Sequence, residues 1–244
     1  MMEISLGLVD HCIKVNTLFI PVREYCEKYI CSSKPTFEVT IIPEDIAFER
    51  KQSARERALE GLPPYEYSDA QLEITAVQRK IAEALFDYNT IVFHGSCIAV
   101  DGVGYLFTAK SGTGKSTHTR LWREVFGERA VMVNDDKPFL KITENGVTAY
   151  GSPWNGKHGL GNNISVPLKA ICILERGEEN KIRPMEAKDA VMMLFQQSNR
   201  PRNPRLMPKY MEIIDKLSQS VVFYRMECNM DPQAAKEAYE GMRG

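Results

Sequence analysis

The chain has 244 residues, 43% of them hydrophobic, which is enough to bury a large core and excludes a globally disordered protein. Its 31 basic and 32 acidic residues leave a net charge of -1, without the basic excess that marks nucleic-acid binding. No apolar run approaches the roughly 20 residues that span a bilayer, and Met1-Met2-Glu3-Ile4-Ser5 is not a basic segment leading into an apolar one, so a cytoplasmic protein without membrane contact is expected.

Residues 1–88 read as an N-terminal α+β extension. Ile4–Val9 and Cys12–Phe19 have strand character, Val22–Ile30 suits a short helix, and Phe37–Ile42 suits a third strand. The polar stretch from Glu49 to Tyr67, with Arg50, Lys51, Arg55, Arg57 and Pro63-Pro64, reads as a mobile loop or linker. Ser68 and Gln71 then have capping-box spacing. Ile74, Val77, Ile81 and Leu85 follow at steps of three and four, the period of one helix face. The six cysteines (Cys12, Cys26, Cys31, Cys97, Cys172, Cys228) form no CxxC pair, and buried thiols in a reducing compartment are expected of them.

From residue 89 a second region begins. Ile91–Val100 and Val103–Ala109 are strand-like runs around Asp101-Gly102, a two-residue hairpin signal. Leu140–Thr143 and Val147–Tyr150 flank Asn145-Gly146, a second such signal. Ala130–Val133, Ala170–Leu174 and Val221–Met226 read as further strands. Helices are expected around Ala187–Leu194 and Tyr210–Leu217. Asp231-Pro232 should open a last helix, with Asp as N-cap and Pro at the first position.

The chemistry centres on Ala109-Lys110-Ser111-Gly112-Thr113-Gly114-Lys115-Ser116-Thr117. Glycines let backbone amides curl around phosphate oxygens, and the dipole of the following helix favours the same negative charge. Ser111, Gly112, Thr113, Gly114, Lys115, Ser116 and Thr117 are therefore the expected nucleotide-binding residues of a P-loop. Lys115 would reach the β- and γ-phosphates, and the Ser116 hydroxyl would bind Mg²⁺. Ala109 stands where the first glycine of the usual pattern is expected.

Counting outward from the Asp101-Gly102 turn places His94 opposite Ala109, beside the start of the loop. There a histidine can bind phosphate, hydrogen-bond a catalytic acid or ligate a metal. Ala130–Val133 leads into Asn134-Asp135-Asp136, an apolar strand ending in acid, which is how P-loop proteins hold Mg²⁺. Two adjacent acids allow a division of labour, read here as Asp135 the base and Asp136 metal-linked. The glycine-rich segment 151–163 is expected to return near this pair, with Asn155 close to Asp136, Lys157 and His158 offered to phosphate or substrate, and Trp154 as a stacking surface. Arg200, Arg202 and Arg205 either neutralise phosphate, contact another subunit or sit in a solvated loop.

His94-Gly95, Ser111-Gly112-Thr113-Gly114-Lys115-Ser116 and Asp135-Asp136 together resemble the HPr kinase/phosphorylase family and, more remotely, the phosphoenolpyruvate carboxykinase branch that shares its nucleotide core. The resemblance covers roughly residues 91–242. It implies an α/β fold with a mixed, largely antiparallel sheet, a P-loop and flanking helices, and an HPr kinase-like catalytic domain over 89–244. It also implies that His94 and Asp135 form a proton-handling pair. Thr117 departs from the acidic residue that generally follows the loop serine in HPr kinases. The expected function is an ATP-dependent kinase using ATP and Mg²⁺, with His94, Lys115 and Asp135 catalytic and Ser116 and Asp136 at the metal. The acceptor hydroxyl belongs to a protein or peptide serine or to a small metabolite, and a homo-oligomer is compatible with this reading. The alternative is a nucleotide-binding regulator or sensor without transfer chemistry.

Overall fold

Alternating burial along Met2–Leu8 (β1) and His11–Thr17 (β2) puts Ile4, Leu6, Ile13 and Val15 inside, the period of a strand with one solvated face. In the computed structural model, which describes residues 2–110 and 112–244, these strands pair antiparallel, and Phe37–Thr40 (β3) joins β2 in parallel. Three helices complete this unit: Pro21–Tyr25 (α1), Pro43–Leu59 (α2) and Asp69–Ala84 (α3). The chain separates into two compact units, Met1–Ala84 and Leu85–Gly244.

The stretch expected to be a loop from Glu49 is largely helix, because α2 runs on to Leu59. It escapes an apolar-period reading because charge, not an apolar stripe, holds it. Its buried residues are Asp45, Ile46 and Glu49. On α3, Arg79 meets Asp45 at 2.9 Å and Glu49 at 2.6 Å, and Lys80 meets Asp45 at 2.7 Å. The expected capping box on α3 is present: the Gln71 amide donates to Ser68 Oγ at 3.3 Å, and the Ser68 amide donates to Gln71 Oε1 at 3.0 Å.

The second unit is built on Ser165–Arg176 (β10). Around it lie Thr90–Val92 (β4), Ser96–Val100 (β5), Val103–Thr108 (β6), Ala130–Asn134 (β7), Phe139–Thr143 (β8), Gly146–Tyr150 (β9), Lys181–Met185 (β11) and Val222–Cys228 (β12). The order is β4-β8-β9-β10-β6-β5-β7, with β12 also paired to β10 and β11 paired to β12. Every ladder of this sheet among the described residues is antiparallel except β6–β10 and β10–β12. The sheet is therefore mixed and largely antiparallel.

Side chains divide between its faces at every second position. Cys97, Ala99, Leu106, Ile171 and Phe223 pack towards Ala187–Gln197 (α5) and Met207–Ser220 (α6). Ile98, Val100, Tyr105, Phe107, Cys172 and Met226 pack towards Lys115–Phe126 (α4) and Gln233–Met242 (α7). No helix among the described residues is long and apolar enough to cross a membrane.

The first hairpin turns at Asp101-Gly102 with φ of +52° and +81°, and its ladder runs from Val100–Val103 to Ser96–Phe107. The run expected as one strand from Ile91 to Val100 is broken, because β4 pairs with β8 whereas β5 pairs with β6 and β7. The second turn falls on Glu144 and Asn145, not Asn145 and Gly146. Thr143 Oγ1 accepts the Asn145 amide at 3.2 Å and donates to the Gly146 carbonyl at 3.2 Å, so the threonine fixes the turn one residue earlier.

Removing Arg79 would leave two mostly buried carboxylates short of their cation. Arg79→Met should therefore destabilise the α2–α3 pairing by about 3 kcal/mol. Urea unfolding with hydrogen exchange of the α2 amides reads this directly, and unchanged α2 protection would show that charge does not hold the helix.

Candidate functional site

Strand β6 ends at Thr108, and α4 begins at Lys115. Between them Gly112 and Gly114 take φ of +76° and +119°, conformations that a Cβ would strain. Gly114 forms the N-terminal boundary of α4, and its carbonyl accepts the His118 amide at 2.9 Å. Arg176, at the end of β10, donates to the Gly112 carbonyl at 2.7 Å. Lys115, Ser116 and Thr117 form the first turn of the helix, and Thr113 precedes Gly114 in the loop. Ser111 lies outside the described residues. Ala109 is 4% exposed and belongs to the core around Phe107 and Trp122.

The acids face this loop because Asn134 ends β7. Its Oδ1 accepts the amides of Asp136 at 2.8 Å and Lys137 at 2.6 Å. Its Nδ2 donates to Ser152 Oγ at 3.0 Å and to the Ser152 carbonyl at 3.1 Å. Ser152 Oγ in turn donates to the Lys137 carbonyl at 2.7 Å. This side-chain turn separates the two acids. Asp135 is 6% exposed and accepts from Ser96 Oγ at 2.6 Å. Since the Ser96 hydrogen is spent on Asp135, Thr119 Oγ1 on α4 is the donor in the 2.9 Å contact with Ser96.

His94 Nε2 lies 3.3 Å from Oδ1 of Asp136. The histidine is thus beside the second acid, where the sequence suggested the first. It sits in the break between β4 and β5, and the backbone there is fixed on several sides. The His94 amide donates to the Gln197 carbonyl at 2.6 Å, the Thr108 hydroxyl donates to the His94 carbonyl at 3.0 Å, and the Gly95 amide donates to the Asp136 carbonyl at 3.0 Å. A Cβ at Gly95 would come within 2.9 Å of the Phe107 carbonyl oxygen, so the glycine after His94 is required by close packing.

Lys115 feels both carboxylates. Burial lowers its pKa and Lys137 adds to the lowering, while Asp136 and Asp135 oppose it. Burial pushes the Asp136 carboxyl up, but the hydrogen bond to His94 and the charges of Lys137, His94 and Lys115 outweigh it and hold the group below the ordinary carboxylate value.

The glycine-rich segment does return to the acids. The Asp135 amide donates to the Leu160 carbonyl at 3.0 Å, and a Cβ at Gly156 would lie 3.1 Å from that of Asp136. Gly156, one residue beyond the expected Asn155, therefore covers Asp136. Trp154 is 5% exposed and packs edge-on against Phe139 at 6.3 Å, so it is core and not a stacking surface. Lys157 and His158 are exposed at the tip of the segment.

Sequence reasoning missed Asn134, Ser152, Ser96 and His118. An asparagine directly before a strand-ending acid pair was the available signal for the first. His118 is 3% exposed. Its Nε2 accepts from Trp122 Nε1 at 3.1 Å, and its ring stands edge-on to Phe107 at 4.5 Å. It lines a cleft of about 490 Å³ together with Gly112, Thr113, Gly114, Thr117, Leu174, Arg176 and Met230.

The fold and site define a mixed α/β protein in which a glycine loop between strand and helix faces a strand-ending acid pair. The chain belongs to the family of the SynChlorMet cassette protein ScmC, whose family model matches residues 66–230. No curated protein matches it in sequence. Among solved structures, the Hpr(Ser) kinase/phosphatase from Coxiella burnetii is similar over 63% of this chain and 99% of its own, at 12% identity and a TM-score of 0.37. That likeness is too loose to define the fold.

Burial pushes the His118 pKa down from 6.5 to about 4. Between those values the unfolded chain takes a proton that the folded chain refuses. Stability is therefore full above the unfolded value and falls as the pH drops towards the folded one, by about 3 kcal/mol. Urea unfolding followed by tryptophan fluorescence should show wild type losing that much relative to His118→Phe between pH 7 and pH 4. A constant difference would mean that His118 is solvated.

Proposed function

We propose that the protein is an ATP-dependent kinase that phosphorylates a hydroxyl group. The observation that carries this reading is the position of Lys115, the first residue of α4, within electrostatic reach of both Asp135 and Asp136. A lysine at a helix N-terminus behind a glycine loop suits the β- and γ-phosphates of a nucleotide. In this reading residues 109–117 are a P-loop, in keeping with the resemblance of its motifs to HPr kinases.

The pairing of His94 with Asp136 favours a division of labour opposite to the one read from the sequence. Asp136 accepts the proton of the attacking hydroxyl as the new O–P bond forms and the bond between the γ-phosphorus and the β–γ bridging oxygen breaks. His94 positions that carboxylate, and Lys115 with the loop amides stabilises the transferring phosphoryl group. The Ser116 hydroxyl and the acid pair are hard oxygen donors of the kind magnesium takes, which needs only one or two carboxylates beside substrate phosphates. With Asp136 engaged by His94, Ser116 and Asp135 would hold the ion. When bound, it supplies charge that neutralises the triphosphate. The acceptor is a serine of a protein or peptide, or a small hydroxyl metabolite.

The test is label transfer from γ-labelled ATP, with magnesium, to a panel of serine peptides and hydroxyl metabolites. Lys115→Ala and Asp136→Asn should each lower transfer by about a hundredfold or more, with Asp136→Asn still binding ATP. A wild-type protein that binds ATP, labels nothing and is indistinguishable from Asp136→Asn would be a nucleotide-dependent regulator. A protein that binds no nucleotide would end both readings.

A further inference from the structure

Strands β1 and β2 pair with Gly7 opposite Cys12. After β2 the chain passes through α1 and returns as β3, parallel to β2. On its way back it first lies along β1: Ile30 bridges Leu6, and the Cys31 amide donates to the Ser5 carbonyl at 2.9 Å. It then reaches β2, where the Thr36 amide donates to the Cys12 carbonyl at 2.7 Å. Cys31 therefore lies against Gly7, and its Cβ is 3.4 Å from where a Cβ on that glycine would stand. The strand partner of Gly7 is Cys12, so the fold brings the two cysteines together from opposite ends of the crossover. Their sulfurs are 2.8 Å apart, whereas a disulfide needs about 2 Å.

We propose that Cys12 and Cys31 form a redox-active pair, which a peroxide converts into a disulfide that staples the crossover from β2 to β3. The proposal is independent of the kinase reading. The backbone at both residues is already held by hydrogen bonds, so closing the sulfurs asks only for side-chain rotation.

The Cys12 thiol donates to the Ser33 carbonyl at 3.0 Å, so the hydrogen between the two sulfurs is that of Cys31. Cys12 is buried, and Cys31 is partly exposed. Cys31 is thus the thiol that an oxidant meets first. Its thiolate attacks one peroxide oxygen, the O–O bond breaks, and the departing oxygen takes up a proton as water, leaving a sulfenic acid on Cys31. The Cys12 sulfur then gives up its proton and attacks the Cys31 sulfur. The S–S bond forms, the S–O bond breaks, and the released oxygen leaves with that proton as a second water. Two thiols and one hydrogen peroxide become one disulfide and two waters. The sulfurs lose two electrons, and the peroxide gains them.

Burial pushes the pKa of the Cys31 thiol up to about 11, the hydrogen bond to Cys12 adds to this, and the Ser33 backbone opposes it. The thiolate is therefore scarce at neutral pH, and oxidation quickens as the pH rises. The other cysteine of this unit, Cys26, is 1% exposed and is pushed up to about 12 by burial, so it stays a thiol. The bond formed between Cys12 and Cys31 joins positions 19 apart in sequence and encloses α1. It thereby takes conformational freedom from the unfolded chain.

The experiment treats the full chain with graded hydrogen peroxide at pH 8, blocks the remaining thiols, and reads the intact mass and the peptide map without reduction. The mass should fall by that of two hydrogens, one cross-link should join Cys12 to Cys31, and dithiothreitol should reverse it. Cys26→Ser should behave like wild type, and Cys31→Ser should form no disulfide within the chain. In the oxidised chain the amides of β2 and β3 should exchange with solvent about tenfold more slowly than in the reduced one. Should Cys31→Ser fail to fold, the cross-link map of the wild type decides alone. A chain that stays fully reduced, that joins another pair, or that carries Cys31 on to a sulfinic acid without a disulfide overturns the proposal. A bond between Cys12 and Cys31 that leaves the exchange unchanged overturns the staple.

Discussion

Two neighbouring residues on an extended strand point to opposite faces of the sheet, so a consecutive acid pair can serve one site only where the strand stops. Asn134 stops it. Its carboxamide accepts the next two free amides and holds Ser152 on its other side, all in a place that is wholly buried. Asp135 is thereby left facing Ser96 and α4, while Asp136 faces His94. Replace the turn with a continuing strand and one acid would leave for the far side of the sheet. The different surroundings of the two carboxylates follow from this single side chain more than from the acids themselves.

The charges gathered there are arranged to stay ionised despite burial. Lys115 and Asp136 each meet a desolvation penalty, yet each lies in the field of the other. The acid is held low by a histidine and two lysines, and the lysine is kept from falling further by two acids. Such mutual support keeps charge in a half-buried place at a cost to stability. In the proposed kinase reading a polyanion would meet cations already poised, and the glycine loop adds amides that need no charge at all.

The parts of this arrangement legible in the sequence were those written in local chemistry. Asp101-Gly102 fixed its turn, Ser68 and Gln71 capped α3, and the glycines before Lys115 marked the start of α4. The illegible parts depended on partners distant in sequence. Helix α2 gave no apolar period because its buried face is Asp45 and Glu49, whose partner Arg79 lies on α3. The break between β4 and β5 needed the Gln197 carbonyl, and Trp154 turned inward against Phe139. Asn145-Gly146 yielded to Thr143, whose hydroxyl bonds settle a turn one residue earlier. His94 is the instructive case. Register counting brought it to the right neighbourhood, but only the Asn134 turn decides which acid it meets.

The helix that carries Lys115 has a further requirement. Trp122 fills the space between the sheet and α7, against Tyr105, Phe107, Phe126 and Tyr239, and its N–H must find an acceptor in that apolar layer. One turn back on the same face, His118 meets that need. A glutamine or asparagine could also accept from the indole, but its remaining hydrogens would be set by a freely rotating amide. The imidazole is rigid and has one nitrogen on each side, so accepting on Nε2 forces donation from Nδ1. The core thereby dictates which ring nitrogen carries the proton, one turn from the lysine. In this way the packing of the aromatic layer fixes the tautomer of a buried ring on the helix that the glycine loop opens.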